Sequence, residues 1–313
     1  MTTGRGRVLA AVRVALLAVV LAAVAVALAR NWHEVSGNLA RVDPGTLGLA
    51  FVLALGSPVL TLLGWRVLLD DLGSPLHMAP AAGVFFVGQL GKYLPGSVWT
   101  VVAQAEMGSR LQVPRRRMAV VGLLSIGLAV LTGTVVGIPA LPLLASRGES
   151  SLSWWWVVLA VLVAVVLARP RVLNAAVRLV LRTLRRAPLE HELSGRAIVR
   201  TVAWFAGAWL SAGLSVVVLA RAVGPATDPT TLLVTSICGF CLAAAVGMFS
   251  FLLPAGVGVR DGVLAFLLTA LMPLPAATAV VVLSRFVTVL ADVVVAAGGW
   301  AWARAHHLLG SRA

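Results

Sequence analysis

Gly88-Gln89-Leu90-Gly91-Lys92-Tyr93-Leu94-Pro95-Gly96-Ser97-Val98-Trp99 interrupts an apolar stretch running from residue 79 to 110. Leu253-Pro254-Ala255-Gly256-Val257-Gly258-Val259-Arg260-Asp261-Gly262 interrupts a second, from 231 to 272. Proline removes a backbone donor and glycine loosens the chain, so neither segment continues a regular helix. The arms beside Pro95, and the arm after Pro254, are shorter than the roughly 20 residues that cross a bilayer core. The arm before Pro254 is long enough to cross. Both stretches read as re-entrant, broken helical hairpins that return the chain to the side it entered from.

Pro95 and Pro114 are spaced as Pro254 and Pro273 are, and Pro95 and Ser125 are spaced as Pro254 and Ser284 are. Around each hairpin the order is span, broken hairpin, span. Residues 46–145 and 201–304 are thus two halves of a repeat, joined by a span and a basic amphipathic segment over 146–200. Residues 1–45 supply a first span and an outer loop, and the whole chain of 313 residues is one integral membrane domain. Six full spans fall near 8–29, 46–69, 118–145, 152–168, 201–223 and 276–303. The expected fold is an all-α polytopic membrane protein of six transmembrane helices plus two hairpins. Its halves point in opposite directions, an inverted repeat of the kind secondary transporters use.

Composition agrees. The chain is 60% hydrophobic and 12% charged, with mean hydropathy +1.00, whereas a soluble domain carries about 25% charged residues. Continuous apolar runs rich in Leu, Val and Ala exclude the short alternating segments of a β-barrel. The first run is too long for a cleavable signal core. The net charge of +14 follows the ends of spans rather than a nucleic-acid-binding face. Alternating sides from a cytoplasmic N-terminus places the arginine-rich ends inside, with both termini cytoplasmic, as expected of a bacterial inner-membrane protein. Trp154, Trp155 and Trp156 then mark an outer boundary, and Trp300 and Trp302 an inner one. Arg171, Arg178, Arg182 and Arg185 share one helical face opposite Val172, Ala176, Val180 and Leu184. That pattern fits a helix lying on the anionic inner leaflet, or an ordinary basic loop.

Lys92 is the only lysine and Tyr93 the only tyrosine, and both sit at the first break. An ammonium and a phenol there suit one phosphate group at close range. Arg260 and Asp261 follow the second break. Arg285 and Asp292 share one face of the last span. Charges at such depth face a partner or a wet cavity. Lys92, Tyr93, Arg260 and Arg285 are candidate substrate contacts. Asp261 and Asp292 are candidate charge partners or coupling groups, and Pro95, Gly96, Pro254, Gly256 and Gly258 form the breaks. The bland alternatives are a snorkelling lysine and structural ion pairs.

Gln89, Trp99, Gln104 and Glu106 line the first hairpin, with Glu106 spaced to pair with Arg110. Gly133 and Gly137 suit a helix contact. Cys238 and Cys241 lie in an apolar run and read as structural. His33, His77, His191, His306 and His307 have no metal spacing, so neither metal nor cofactor is expected.

The two break signatures together resemble the lysylphosphatidylglycerol synthase transmembrane-region family, also described as flippase-like integral membrane proteins. Asp261 departs mildly from an acidic position that is often Glu in that family. The resemblance implies the membrane half only: translocation of an anionic or aminoacylated phospholipid, or of a polyprenyl-phosphate lipid, by alternating access, without aminoacyl transfer. An inert partner or scaffold of a lipid-modifying enzyme or glycosyltransferase is the other class, and a homo-oligomer is compatible with either. An intramembrane enzyme would need a nucleophile or base constellation that the sequence does not display at depth.

Overall fold

The computed structural model describes residues 37, 42–93, 98–141, 154–183, 185–224, 228–248, 256 and 258–306. Among them the secondary structure is helical, without strands. The helices are α1 (Pro44–Asp71), α2 (Met78–Gln89), α3 (Trp99–Arg110), α4 (Arg115–Gly137), α5 (Trp154–Leu167), α6 (Pro170–Thr183), α7 (Gly195–Val223), α8 (Pro229–Met248), α9 (Val259–Leu268) and α10 (Leu274–Ala305). A 3-10 turn, Leu90–Tyr93, extends α2, and another, Ile138–Ala140, extends α4.

Five helices are long and apolar enough to cross a membrane: α1, α4 with its 3-10 extension, α7, α8 and α10. Four of them match expected full spans. The fifth, α8, is 20 residues and is long and apolar enough to cross, as its arm length allows, although the stretch reads as a hairpin arm. Helix α5 covers only 14 described residues. The expected span at 8–29, and Pro95, Gly96 and Pro254, lie outside the described residues, as do the side chains of Trp154, Trp155 and Trp156.

Helices α1 and α7 form the spine. Asp43 caps α1 by accepting from the Thr46 amide at 3.0 Å. Ser194 caps α7 through the Ala197 amide at 3.2 Å. The Ser215 hydroxyl donates to the Ala50 carbonyl at 2.8 Å, Ser211 to Leu53 at 2.6 Å and Thr201 to Gly64 at 3.3 Å. Where α1 ends, Asp71 accepts from the amide and hydroxyl of Ser194. As numbers rise on one helix they fall on the other, so the pair is antiparallel. In hydrocarbon, apolar packing between helices has no water to escape, and such hydroxyl bonds supply roughly 0.6–2 kcal/mol each.

Both interrupted stretches double back. In the first, Gly88 packs on Gln104, and a Cβ on Gly91 would lie 2.4 Å from the Thr100 amide nitrogen. In the second, Gly239 packs on Leu267 and Gly247 on Arg260. The hairpins are unequal, 12 and 12 residues against 20 and 10. Helix α2 packs on α10 and α8 on α4, while α1 meets α10 and α7 meets α4. Gly137 abuts Leu242, and Gly133 abuts Trp209, whose indole donates to the Ala129 carbonyl at 3.0 Å. The expected small-residue contact is therefore made within the chain.

The basic end of the bundle is fastened by ionic contacts. Arg117 donates to the Gly73 carbonyl at 2.7 Å, to the Ser74 hydroxyl, and to Glu190 at 2.7 Å. Arg116 reaches Glu190 at 2.6 Å. Hydrogen bonding from Arg117, with the nearby Arg116 charge, holds the Glu190 carboxyl down at about 2. Asn174 of α6 bonds both the amide and the carbonyl of Leu193. The outward side of α6 exposes Arg171, Arg182, Leu179 and Val180. At the opposite end of the bundle, Val42, Val223, Leu271, Met272 and Ala276 pack together.

Candidate functional site

The charges singled out at the two breaks converge on one helix. Near mid-length of the 32-residue α10, Asp292 accepts an ion pair from Lys92 Nζ at 2.7 Å and a hydrogen bond from the Tyr93 hydroxyl at 2.6 Å. Both donors reach the same oxygen, Oδ2. The Asp292 side chain is 8% exposed and that of Lys92 36%. The first hairpin delivers this pair because the 3-10 turn carries Lys92 and Tyr93 past the end of α2. Gly91 lets the returning backbone cross closely enough to hold the turn.

Two helical turns earlier on the same face, about 10 Å along the axis, Arg285 lies 3.8 Å from Asp261 Oδ1. Asp261 sits in the first turn of α9, where its other oxygen accepts from the Gly258 amide at 3.3 Å. A carboxylate at a helix N-terminus is stabilised by the exposed amides there. Gly258 adopts φ +84° and Gly256 φ +65°, conformations open to glycine and strained for other residues. The glycines of the second signature thus turn the chain so that Asp261 caps the helix it starts.

Arg260 lies within electrostatic reach of both ion pairs. Its guanidinium covers the Phe240 ring at 4.8 Å, and the charges of Arg285, Asp261 and Asp292 and the Tyr93 phenol all act on it. Its Nε is buried without a hydrogen-bond partner among the described residues. Its Cβ rests against Gly247, where a side chain would collide at 2.8 Å.

Lys92, Tyr93, Arg260, Asp261, Arg285 and Asp292 are therefore one junction built from three elements. It holds three cations against two carboxylates, one positive charge in excess. Asp292 as the joint acceptor for Lys92 and Tyr93 was not foreseen, because nothing in the local pattern couples residues so far apart in sequence. The only useful signal was scarcity: one lysine, one tyrosine and a lone carboxylate in the last span. Phe240 and Gly247 were also missed, since both look like ordinary helix residues.

The other polar residues of the first hairpin fall elsewhere. Gln104 is buried between Gly88 and Gly122. Trp99 is exposed. Glu106 does not take Arg110 but pairs with Arg115 at 2.9 Å. The correction has a local cause: Gln112 adopts φ +62°, and the reversal there swings the start of α4 back over the last turn of α3. A cavity lies beneath α6, away from the junction, and an apolar furrow lies beside α9.

No curated protein matches the chain. Residues 14–296, nearly the whole helical bundle and both interrupted hairpins, match the lysylphosphatidylglycerol synthase TM region, and the chain belongs to that family of membrane proteins related to lipid metabolism.

Proposed function

We propose that the chain is a lipid translocase that moves a lipid with a phosphate headgroup between leaflets by alternating access. In this reading six spans and two re-entrant hairpins form an inverted repeat. Three features support it. The first hairpin opens at the end of the bundle held by Arg117 and Glu190, while the second opens where Leu271 and Met272 pack. The contacts of the two halves correspond. Both breaks bring ionisable groups to the middle of α10. The arginine-rich end is assigned to the cytoplasm by the positive-inside rule. There the exposed arginines and Leu179 of α6 suit an anionic leaflet.

The observation that carries the proposal is the junction itself. Buried charge in a membrane protein is costly, and it persists where it pairs or meets a charged ligand. Here pairing leaves a cation over. Arg260 and Arg285 would engage the phosphate, whose oxygens compete with Asp261 for guanidinium donors. Lys92 and Tyr93 would hold the opposite side. Exchange of these pairs lets one half rock against the other, and no nucleotide chemistry is required of the chain.

A second reading is a non-transporting partner of a lipid-modifying enzyme. The ion pairs that already satisfy Lys92 and Asp292 favour it, because a permanently closed junction would simply lock the bundle. Reconstitution separates the two. Vesicles carrying the protein should flip fluorescent phosphatidylglycerol faster than protein-free vesicles, and Lys92→Ala should slow that flipping. Rates equal to those of protein-free vesicles would leave the scaffold, and undiminished flipping by Lys92→Ala would remove Lys92 from the mechanism.

A further inference from the structure

We infer that the junction selects a headgroup of net negative charge without an amine, and so discriminates against aminoacylated lipids. This rests on the reading above that the junction is the headgroup site, and it narrows the substrate to an anionic phosphate lipid. Asp261 and Asp292 are the two anionic groups among the junction residues, and so the ones able to neutralise an ammonium. Asp292 Oδ2 already accepts from both Lys92 and Tyr93. Asp261 offers one oxygen to Arg285 and the other to the Gly258 amide. An incoming ammonium would have to share Asp292 with Lys92, share Asp261 with Arg285, or uncap α9.

Charge points the same way. With three cations and two carboxylates, a headgroup of charge −1 brings the junction to neutrality. A lysyl-esterified phosphate lipid, with two ammonium groups and one phosphate, would raise the excess instead. In a poorly solvated site like charges a few ångströms apart repel far more strongly than in water. An unsatisfied donor suits a phosphate: Arg260 Nε is buried and lacks a partner among the described residues, and its guanidinium lies over the Phe240 ring at 4.8 Å.

The surroundings indicate a lipid rather than a soluble phosphate. Leu141, Leu242, Val246, Gly262, Val263 and Phe266 wall an apolar furrow of about 400 Å³ beside α9. It borders the junction along the chain: Gly262 follows Asp261, and Val246 precedes Gly247, which abuts Arg260. We assign this furrow to an acyl or prenyl chain whose phosphate sits at Arg260.

Binding and transport are measured separately. Purified protein in detergent is heated with phosphatidylglycerol, lysylphosphatidylglycerol or glycerol 3-phosphate, and flipping of the two fluorescent lipids is followed in vesicles. Phosphatidylglycerol should protect at concentrations at least tenfold below those required of lysylphosphatidylglycerol, with no protection by glycerol 3-phosphate. Asp261→Asn, which removes a negative charge but keeps an acceptor for the Gly258 amide, should widen the ratio. Arg260→Gln should narrow it to about threefold or less. Equal protection by the two lipids, or ratios unmoved by both variants, overturns the inference. Equal protection by glycerol 3-phosphate overturns the lipid assignment. Selective protection without flipping leaves the inference standing and sinks the translocase reading.

Discussion

Replacing Lys92 by Met and Asp292 by Asn, singly and together, tests whether the first hairpin is held by its ion pair with α10. At 2.7 Å the pair gains about 6 kcal/mol of Coulomb energy for an effective dielectric constant near 20. Desolvation of Asp292, only 8% exposed, opposes most of that gain. Stranding one member of a fully buried pair costs about 3–5 kcal/mol. The Lys92 side chain is 36% exposed, so water recovers part of the loss, and each single variant should lose about 2–3 kcal/mol. The double variant strands no charge and should cost less than the sum of the singles, with a coupling of about 2 kcal/mol. Equilibrium unfolding in mixed micelles, followed by tryptophan fluorescence, reads all four corners of the cycle. Singles that add to within about 0.5 kcal/mol would refute the pairing, because independent sites behave that way.

Three further outcomes follow from local geometry. Gly91→Val should destabilise the protein by about 1–3 kcal/mol, since its Cβ meets the Thr100 backbone at 2.4 Å rather than a movable side chain; the same unfolding assay checks it, and wild-type stability would contradict the hairpin crossing. The Glu190 carboxyl is lowered from 4.5 to about 2, so its contribution is complete above pH 4.5 and is lost as pH falls through about 2. Compared at each pH with Glu190→Gln, so that pepsin's own pH dependence cancels, cleavage of the 185–193 segment should be slower in the wild type near pH 4.5 and converge with the variant as pH falls through about 2; identical profiles would remove Glu190 as the fastening. A nitroxide at Leu179, on the exposed side of α6, should be quenched by oxygen more than by a water-soluble nickel chelate, and the reverse order would take α6 off the leaflet.

Much of the arrangement was legible because its causes are local. Apolar runs long enough to cross give α1, α4, α7 and α10, and Pro-Gly breaks announce both hairpins. The six residues of the junction were each visible as charge or phenol where the composition avoids them. Their pairing was not legible, because Lys92 and Asp292 meet only after the whole bundle has packed. Glu106 shows the same limit at short range: the spacing favours Arg110, yet the turn at Gln112 presents Arg115 instead. The hydroxyls of Thr201, Ser211 and Ser215 gave no warning that they bind α1, since a hydroxyl on a helix equally often bonds its own preceding turn. The clamp of Arg116 and Arg117 on Glu190 was hidden in a basic run that the positive-inside rule alone explained.

The most direct test of the junction is cross-linking in native membranes, in a background lacking Cys238 and Cys241. One variant carries cysteines at Tyr93 and Asp292, and a second at Asp261 and Arg285. A short thiol cross-linker should join both pairs, since each hairpin reaches α10 at mid-length. Joining one pair and leaving the other unreacted, while both cysteines of that other pair remain accessible to a small alkylating reagent, would place the two breaks at separate sites and contradict a shared junction.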